Sequence, residues 1–250
     1  MDLDGKVAIV TGGGRGIGRA TALALAAEGA KVAVAARSGH EIQNVSSEIR
    51  SKGGDSLAIE CDVASEDDVD AMIQKIVDAF GRVDILVCNA AIIHDVIDVV
   101  DMSLEQWRAV IDINLTGVFL CCKAVISEMM KQRSGKIVIV GAMGAKRGKK
   151  GRSAYRASKA ALVNLTETLD LEASEHGINV NCVSPGPVVT KMLLDTYPNI
   201  DVGPFAQPED VANVILFLVS EKSRAMHGAV VDVAGVGDYE DRLKPMKQRN

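Results

Sequence analysis

A chain of 250 residues, 48% hydrophobic and 24% charged, is long enough to close one large core and too apolar to stay disordered. Its 28 Lys+Arg against 33 Asp+Glu leave a net charge of −5, which offers no broad basic surface to phosphate backbones, so no nucleic-acid partner is expected. No uninterrupted apolar run approaches the roughly 18 residues of a bilayer span, and Met1-Asp2-Leu3-Asp4-Gly5 lacks the pattern of a signal peptide; no membrane partner and a cytoplasmic location are expected.

Val7-Ala8-Ile9-Val10 is the first candidate strand. It runs into Thr11-Gly12-Gly13-Gly14-Arg15-Gly16-Ile17-Gly18, and apolar residues then recur at helical spacing over 16–28. Between a strand and a helix, such glycines let the backbone approach a pyrophosphate, and the free N–H groups of the helix start supply donors and a positive dipole end. Gly12, Gly16 and Gly18 are spaced G-x-x-x-G-x-G, not G-x-G-x-x-G; the plainer alternative is a turn that binds nothing.

The second strand, Lys31-Val32-Ala33-Val34-Ala35, leads to Ala36-Arg37-Ser38, where a dinucleotide fold reads the adenosine ribose. No Asp or Glu lies between Lys31 and His40 to hold a ribose 2′-hydroxyl. Arg37 instead offers planar donors to a 2′-phosphate, Ser38 adds a hydroxyl and Arg15 a second charge, which favours NADP over NAD. A solvated surface arginine is the plainer reading of Arg37.

Leu57-Ala58-Ile59, Val83-Asp84-Ile85-Leu86-Val87 and Lys136-Ile137-Val138-Ile139-Val140 are the next strands, separated by helical patterns over 66–80 and 104–131. Lys146-Arg147-Gly148-Lys149-Lys150-Gly151-Arg152 then places five cations in seven residues. It reads as a solvated basic loop or as a receptor for an anionic group on a substrate. In the helical stretch 154–175, Tyr155 and Lys159 are four apart and share a face, so the ammonium can lie near the phenol and favour its ionised form.

Ile178-Asn179-Val180-Asn181-Cys182-Val183 and Ala229-Val230-Val231-Asp232-Val233 complete seven candidate strands. All 6 prolines lie at or beyond Pro185; residues 191–208 show no clear period and read as an irregular lid, and a polar tail starts at about 238. Strands alternating with helices, and no linker, predict an α/β fold with one doubly wound parallel sheet, in a single domain over 1–250. The 5 cysteines, at 61, 88, 121, 122 and 182, form no C-x-x-C pair and have no histidines at ligand spacing. They read as buried reduced thiols, and no metal site is expected.

Together the Gly turn and the Tyr-x-x-x-Lys pair resemble the short-chain dehydrogenase/reductase family, from Lys6 to about Gly235. That resemblance implies a Rossmann-like sheet, a nicotinamide cofactor and a homodimer or homotetramer. By the same resemblance Gly12, Gly14, Arg15, Gly16, Ile17 and Gly18 hold the pyrophosphate. Asp62 contacts adenine beside Val63, and Asn89-Ala90-Ala91 stabilises the sheet near the cofactor, with Ala91 in place of the usual Gly. Pro185, Gly186, Val188 and Thr190 match the segment that holds the carboxamide. Tyr155 is implied as the general acid/base, Lys159 as the ribose ligand that tunes it, and Asn114 as the residue that positions a water in a proton relay.

One departure affects the chemistry. The family has a Ser thirteen residues before the Tyr, bonding the substrate oxygen, and that place here is Ala142. Losing one donor to a developing oxyanion costs about 10²–10³ in rate. Ala142 is open to three readings: an inactivating substitution, a loss offset by another group, or a cofactor-binding pseudoenzyme. Ser153, two residues before Tyr155, is a weak substitute. Near these residues Met143, Lys146, Arg147, His94 and Met192 are candidate substrate contacts, each with a structural alternative. The implied reaction is NADP(H)-linked interconversion of a small-molecule carbonyl and a secondary alcohol, on an anionic or acyl-carrier-linked substrate.

Overall fold

Runs of Val, Ile, Ala and Leu, which suit strands covered on both faces, become seven parallel strands in a computed structural model that describes residues 2–236. They are β1 (Val7–Thr11), β2 (Lys31–Ala36), β3 (Ser56–Glu60), β4 (Ile85–Cys88), β5 (Gly135–Val140), β6 (Ile178–Pro185) and β7 (Val230–Val233). Their order in the sheet is β3-β2-β1-β4-β5-β6-β7. Chain order therefore reverses between β1 and β4, the place where open α/β sheets form a crevice beyond the carboxyl ends of the strands.

Side chains alternate across the sheet. Val7, Ile9, Leu86, Ile137 and Ile139 join one core cluster; Ala8, Val10, Val87, Val138 and Val140 join the other. The first is covered by α3 (Glu66–Phe80), α5 (Gly117–Gln132) and α6 (Ser153–Ala173), and the second by α1 (Gly16–Ala27), α2 (Gly39–Ser51) and α8 (Pro208–Val219). Near the amino ends of the strands the buried Asp84 carboxylate accepts from the Val7 amide at 3.0 Å and from Arg82 at 2.6 Å, which ties β1 to β4.

The helical pattern expected over 104–131 is interrupted. α4 (Leu104–Ile111) passes through a π-helical turn, Asp112–Thr116, before α5 begins. The combined rod of 29 residues is long and apolar enough to span a membrane by length and composition. Its apolarity is accounted for by a core face, since Val118, Cys121, Cys122, Val125 and Met129 are buried under the sheet.

The stretch 191–208 is less irregular than its lack of period predicts. It holds the short helix α7 (Lys191–Thr196), capped by the Thr190 hydroxyl accepting from the Leu193 amide at 3.3 Å, and its end is tied back by a bridge between Val188 and Ala206. The five cysteines are all buried and free. The expected polar tail from about 238 lies outside the described residues.

Candidate active site

Beyond the carboxyl ends of β1, β4, β5 and β6 lies a cleft of about 1010 Å³. That is room for a dinucleotide and a small second molecule. The β1–α1 turn forms one wall. Gly12 has φ +62, and a Cβ there would stand 2.9 Å from the Ala90 Cα. Gly18 does not line the cleft; a Cβ on it would overlap the Gly12 carbonyl oxygen, so its part is to let α1 start tight against the turn.

Asn89, just past β4, holds this turn from below. Its side-chain amide donates to the carbonyls of Thr11 at 2.9 Å and Gly12 at 3.1 Å, while the Thr11 hydroxyl accepts from the amides of Asn89 and Ala90. The amino end of α3, by contrast, is closed: it is capped by Ser65 and carries Glu66, Asp67 and Asp68 in its first turn. α1 has neither a capping side chain nor an acid in its first turn. Its amide donors and positive dipole end face the cleft from Gly16 and Ile17, the donor set a pyrophosphate needs. The residues present therefore fit a dinucleotide.

At the ribose end, Arg37 and Ser38 are exposed and line the cleft with Arg15, Asp62 and Val63. Among the described residues Arg37 has no carboxylate within ion-pair distance. Arg15 has one: Glu41, which lies 3.5 Å from its guanidinium and also lines the cleft. Glu41 falls just past the stretch from Lys31 to His40 that lacks acids, and the first turn of α2 carries it back onto Gly14. Asp62 closes a local turn, accepting from the Ala64 amide at 3.0 Å.

Tyr155 and Lys159 both line the opposite wall from the first turns of α6. Burial pushes the Tyr155 phenol up, offset in part by the Arg156 and Arg152 guanidiniums. The Lys159 ammonium donates to the Val140 carbonyl at 2.7 Å, where burial lowers it from 10.5 to about 8. No hydrogen bond joins this ammonium to the phenol among the described residues.

Asn114 sits in the π turn, fully buried behind the cleft wall. Its Oδ1 accepts from the Ile92 amide at 2.8 Å, and its Nδ2 donates to the Ile92 carbonyl at 2.9 Å and to Ser158 Oγ at 3.3 Å. Ser158 in turn donates to the Tyr155 carbonyl at 2.9 Å. Asn114 thus braces both walls near Tyr155 but does not itself reach the cleft. Ala142 does line it, just after β5, while the Ser153 hydroxyl turns to Met102 Sδ at 3.7 Å and leaves the missing donor unreplaced from that side.

The basic loop separates into two classes. Lys146 pairs with Asp232 at 2.6 Å and Lys150 with Asp98 at 3.4 Å. Arg147, Lys149 and Arg152 line the cleft with no carboxylate partner among the described residues. His94 does not line it: its carbonyl accepts from Arg152, and its ring nitrogen lies 3.5 Å from the Tyr155 amide, so it supports the loop. Met143, Met192, Pro185, Gly186 and Val188 line the cleft, as does Thr190, whose hydroxyl is bonded to the Val188 carbonyl and caps α7. Arg156, inside the Tyr-x-x-x-Lys element, and Tyr197, at the end of α7, are further wall residues.

Residues 6–200 match the family model described as short chain dehydrogenase. The chain is 44% identical over 229 residues to a 3-oxoacyl-[acyl-carrier-protein] reductase of Synechocystis sp., covering 89% of this chain and 92% of the relative. It is 41% identical over 239 residues to the enzyme of the same name from Staphylococcus aureus, covering 92% and 97%. Among solved structures, a short-chain type dehydrogenase/reductase from Mycobacterium marinum superposes with TM-score 0.88 at 39% identity, covering 94% of this chain and 96% of that one. Levodione reductase superposes with TM-score 0.88 at 30% identity, covering 92% and 96%.

Proposed function

The chain belongs to the short-chain dehydrogenase family, and from that premise we propose that it interconverts a carbonyl and a secondary alcohol with NADP(H). The observation that carries this reading is one cleft holding both the open amino end of α1 and the pair Tyr155 and Lys159. When bound, the nicotinamide supplies the hydride to the carbonyl carbon or takes it from the alcohol.

Tyr155 gives its phenolic proton to the oxygen in reduction and removes it in oxidation. The upward push of burial keeps the phenol protonated at neutral pH, the form that reduction needs. Lys159 binds the nicotinamide ribose and brings its charge to the phenol, and Asn114 acts through Ser158 and Ile92 as a positioning residue. Arg37, exposed and without a carboxylate partner among the described residues, supports the 2′-phosphate over a 2′-hydroxyl.

The relatives named 3-oxoacyl-[acyl-carrier-protein] reductase support a 3-oxo compound as the reacting carbonyl, on an anionic or acyl-carrier-linked substrate. A single catalytic domain in the cytoplasm belongs to the same reading, as does a homodimer or homotetramer, supported by Phe119 and Leu171 standing exposed on α5 and α6. The test is NADPH consumption by the purified chain against a panel of 3-oxo esters and acids. Turnover with NADPH well above that with NADH supports the assignment; no turnover with any carbonyl, alongside tight NADPH binding, favours the second reading that Ala142 raises, a cofactor-binding protein without catalysis.

A further inference from the structure

Among the described residues Arg152 is a buried cation without a counter-ion. It is 3% exposed, yet no carboxylate lies within ion-pair distance among the described residues, and its Nε has no hydrogen-bond partner. One guanidinium nitrogen is held by the His94 carbonyl and the guanidinium also meets the Tyr197 hydroxyl, so the side chain is fixed in the cleft wall with its Nε–H unanswered. A buried charge of this kind is costly unless an anion answers it. Lys149 stands beside it. The Tyr197 ring covers both, at 5.4 Å from the Lys149 ammonium and 6.0 Å from the Arg152 guanidinium, and the Tyr197 hydroxyl lies 3.3 Å from Lys149. Burial pushes the Tyr197 phenol up, but the two cations outweigh it and leave it below its usual value, as expected where positive charge is in excess.

We propose that Arg152, with Lys149 and Tyr197, forms a carboxylate-binding subsite, so that the substrate is a small oxo acid with a free carboxylate close to its reacting carbonyl. This deepens the carbonyl-reducing reading and rests on it. The position of Arg152 decides between two sources of negative charge. It precedes Tyr155 by three residues at the start of α6, about 4.5 Å of helical rise, so its partner anion must lie near the reacting carbon. The phosphate of a phosphopantetheine arm is at the far end of a long chain from the thioester. An acyl thioester also has its own carboxylate masked.

The experiment compares 3-oxobutanoate with its methyl ester, and 3-oxobutanoyl-phosphopantetheine with 3-oxobutanoyl-pantetheine, using the whole chain and NADPH. The acid should exceed the ester in kcat/KM by about 10- to 100-fold, the range of one charge-assisted contact, and the phosphate should change little. Arg152→Gln should remove most of the preference for the acid, and Arg152→Lys should retain part of it. An ester used as well as the acid overturns the subsite, as does a gain from the phosphate with none from the free carboxylate. Should Arg152→Gln not fold, Lys149→Gln and the wild-type comparison still decide.

Calorimetric titration of 3-hydroxybutanoate into the protein with NADP+ separates the two readings. Carboxylate binding lost in Arg152→Gln, with no turnover of any carbonyl, keeps the subsite and sinks the catalytic reading. Turnover of neutral ketones with no carboxylate binding does the reverse.

Discussion

Lys159 donates its ammonium to the Val140 carbonyl across 2.7 Å, so this cation is anchored to the end of β5, two residues before Ala142. Burial there lowers it to about 8 from an ordinary 10.5. The folded value is below the unfolded one, so between about 8 and 10.5 the unfolded chain binds the extra proton. Stability from this group therefore rises with pH through that window and is least below it.

The first prediction follows from that sign. Lys159→Met removes a buried charge below pH 8 and almost nothing above 10, so the variant should gain Tm relative to wild type at pH 7 and lose that advantage by pH 10. The gain should be on the order of 3 kcal/mol at the acid end, from the fall of 10.5 to about 8 at about 1.4 kcal/mol per pKa unit. Thermal unfolding at both pH values, without cofactor, measures it; a difference that does not vary with pH overturns the assignment.

A second prediction concerns the ribose end. Arg37→Ala should weaken NADPH by about 10-fold or more and NADH little, because only NADPH loses a charge-assisted contact. Glu41→Gln should act in the opposite sense. It frees Arg15 from a carboxylate 3.5 Å away and removes a negative charge from the wall a 2′-phosphate would face, so NADPH should bind a few-fold tighter. Fluorescence titrations with both cofactors check the pair, and equal effects on NADH and NADPH would remove the case for a 2′-phosphate site.

Legibility from sequence divides along the same line. The Gly turn and the pair Tyr155 and Lys159 are readable because their geometry is local: one strand-to-helix turn and one helical face. The seven strands are readable from their β-branched runs, since both faces of a parallel sheet are dry. Glu41 is not, because it reaches Gly14 only after α2 folds back across the turn. Arg152 lies in a charge run that reads equally as a solvated loop or as an anion receptor, and only the tertiary packing of His94 and Tyr197 singles it out as buried. The bond from Lys159 to Val140 and the inward position of Asn114 depend on contacts between distant segments, which spacing along one helix does not encode.

A third prediction tests the brace under the phosphate turn. Asn89→Ala deletes two hydrogen bonds to the carbonyls of Thr11 and Gly12. At about 1 kcal/mol each this costs roughly 2 kcal/mol, a fall of about 4–8 °C in Tm for a chain of this size. Asn89→Asp should be worse than Ala, because a carboxylate has only acceptors to set against two carbonyl oxygens. Thermal unfolding of both variants gives the order, and Asp milder than Ala would show that the amide does not hold the turn.

The last prediction asks what Ala142 does to the chemistry. Its methyl group lines the cleft directly after β5, on extended backbone at φ −162 that serine adopts without strain, so Ala142→Ser adds a hydroxyl with little cost to the fold. If no other donor meets the developing oxyanion, turnover should rise by about 10²-fold. NADPH affinity should stay constant, since the pyrophosphate turn at Gly12 to Gly18 is on the opposite wall. Arg152 is the candidate to have taken over, being a cleft-lining residue with a buried, unpaired N–H. The double variant Ala142→Ser with Arg152→Gln separates the cases. A serine effect that is small alone and large in the double variant means that Arg152 serves the oxyanion as well as any carboxylate. A large serine effect of the same size in both backgrounds means that the two donors meet different atoms, and that Ala142 leaves the oxygen to Tyr155 without the second donor.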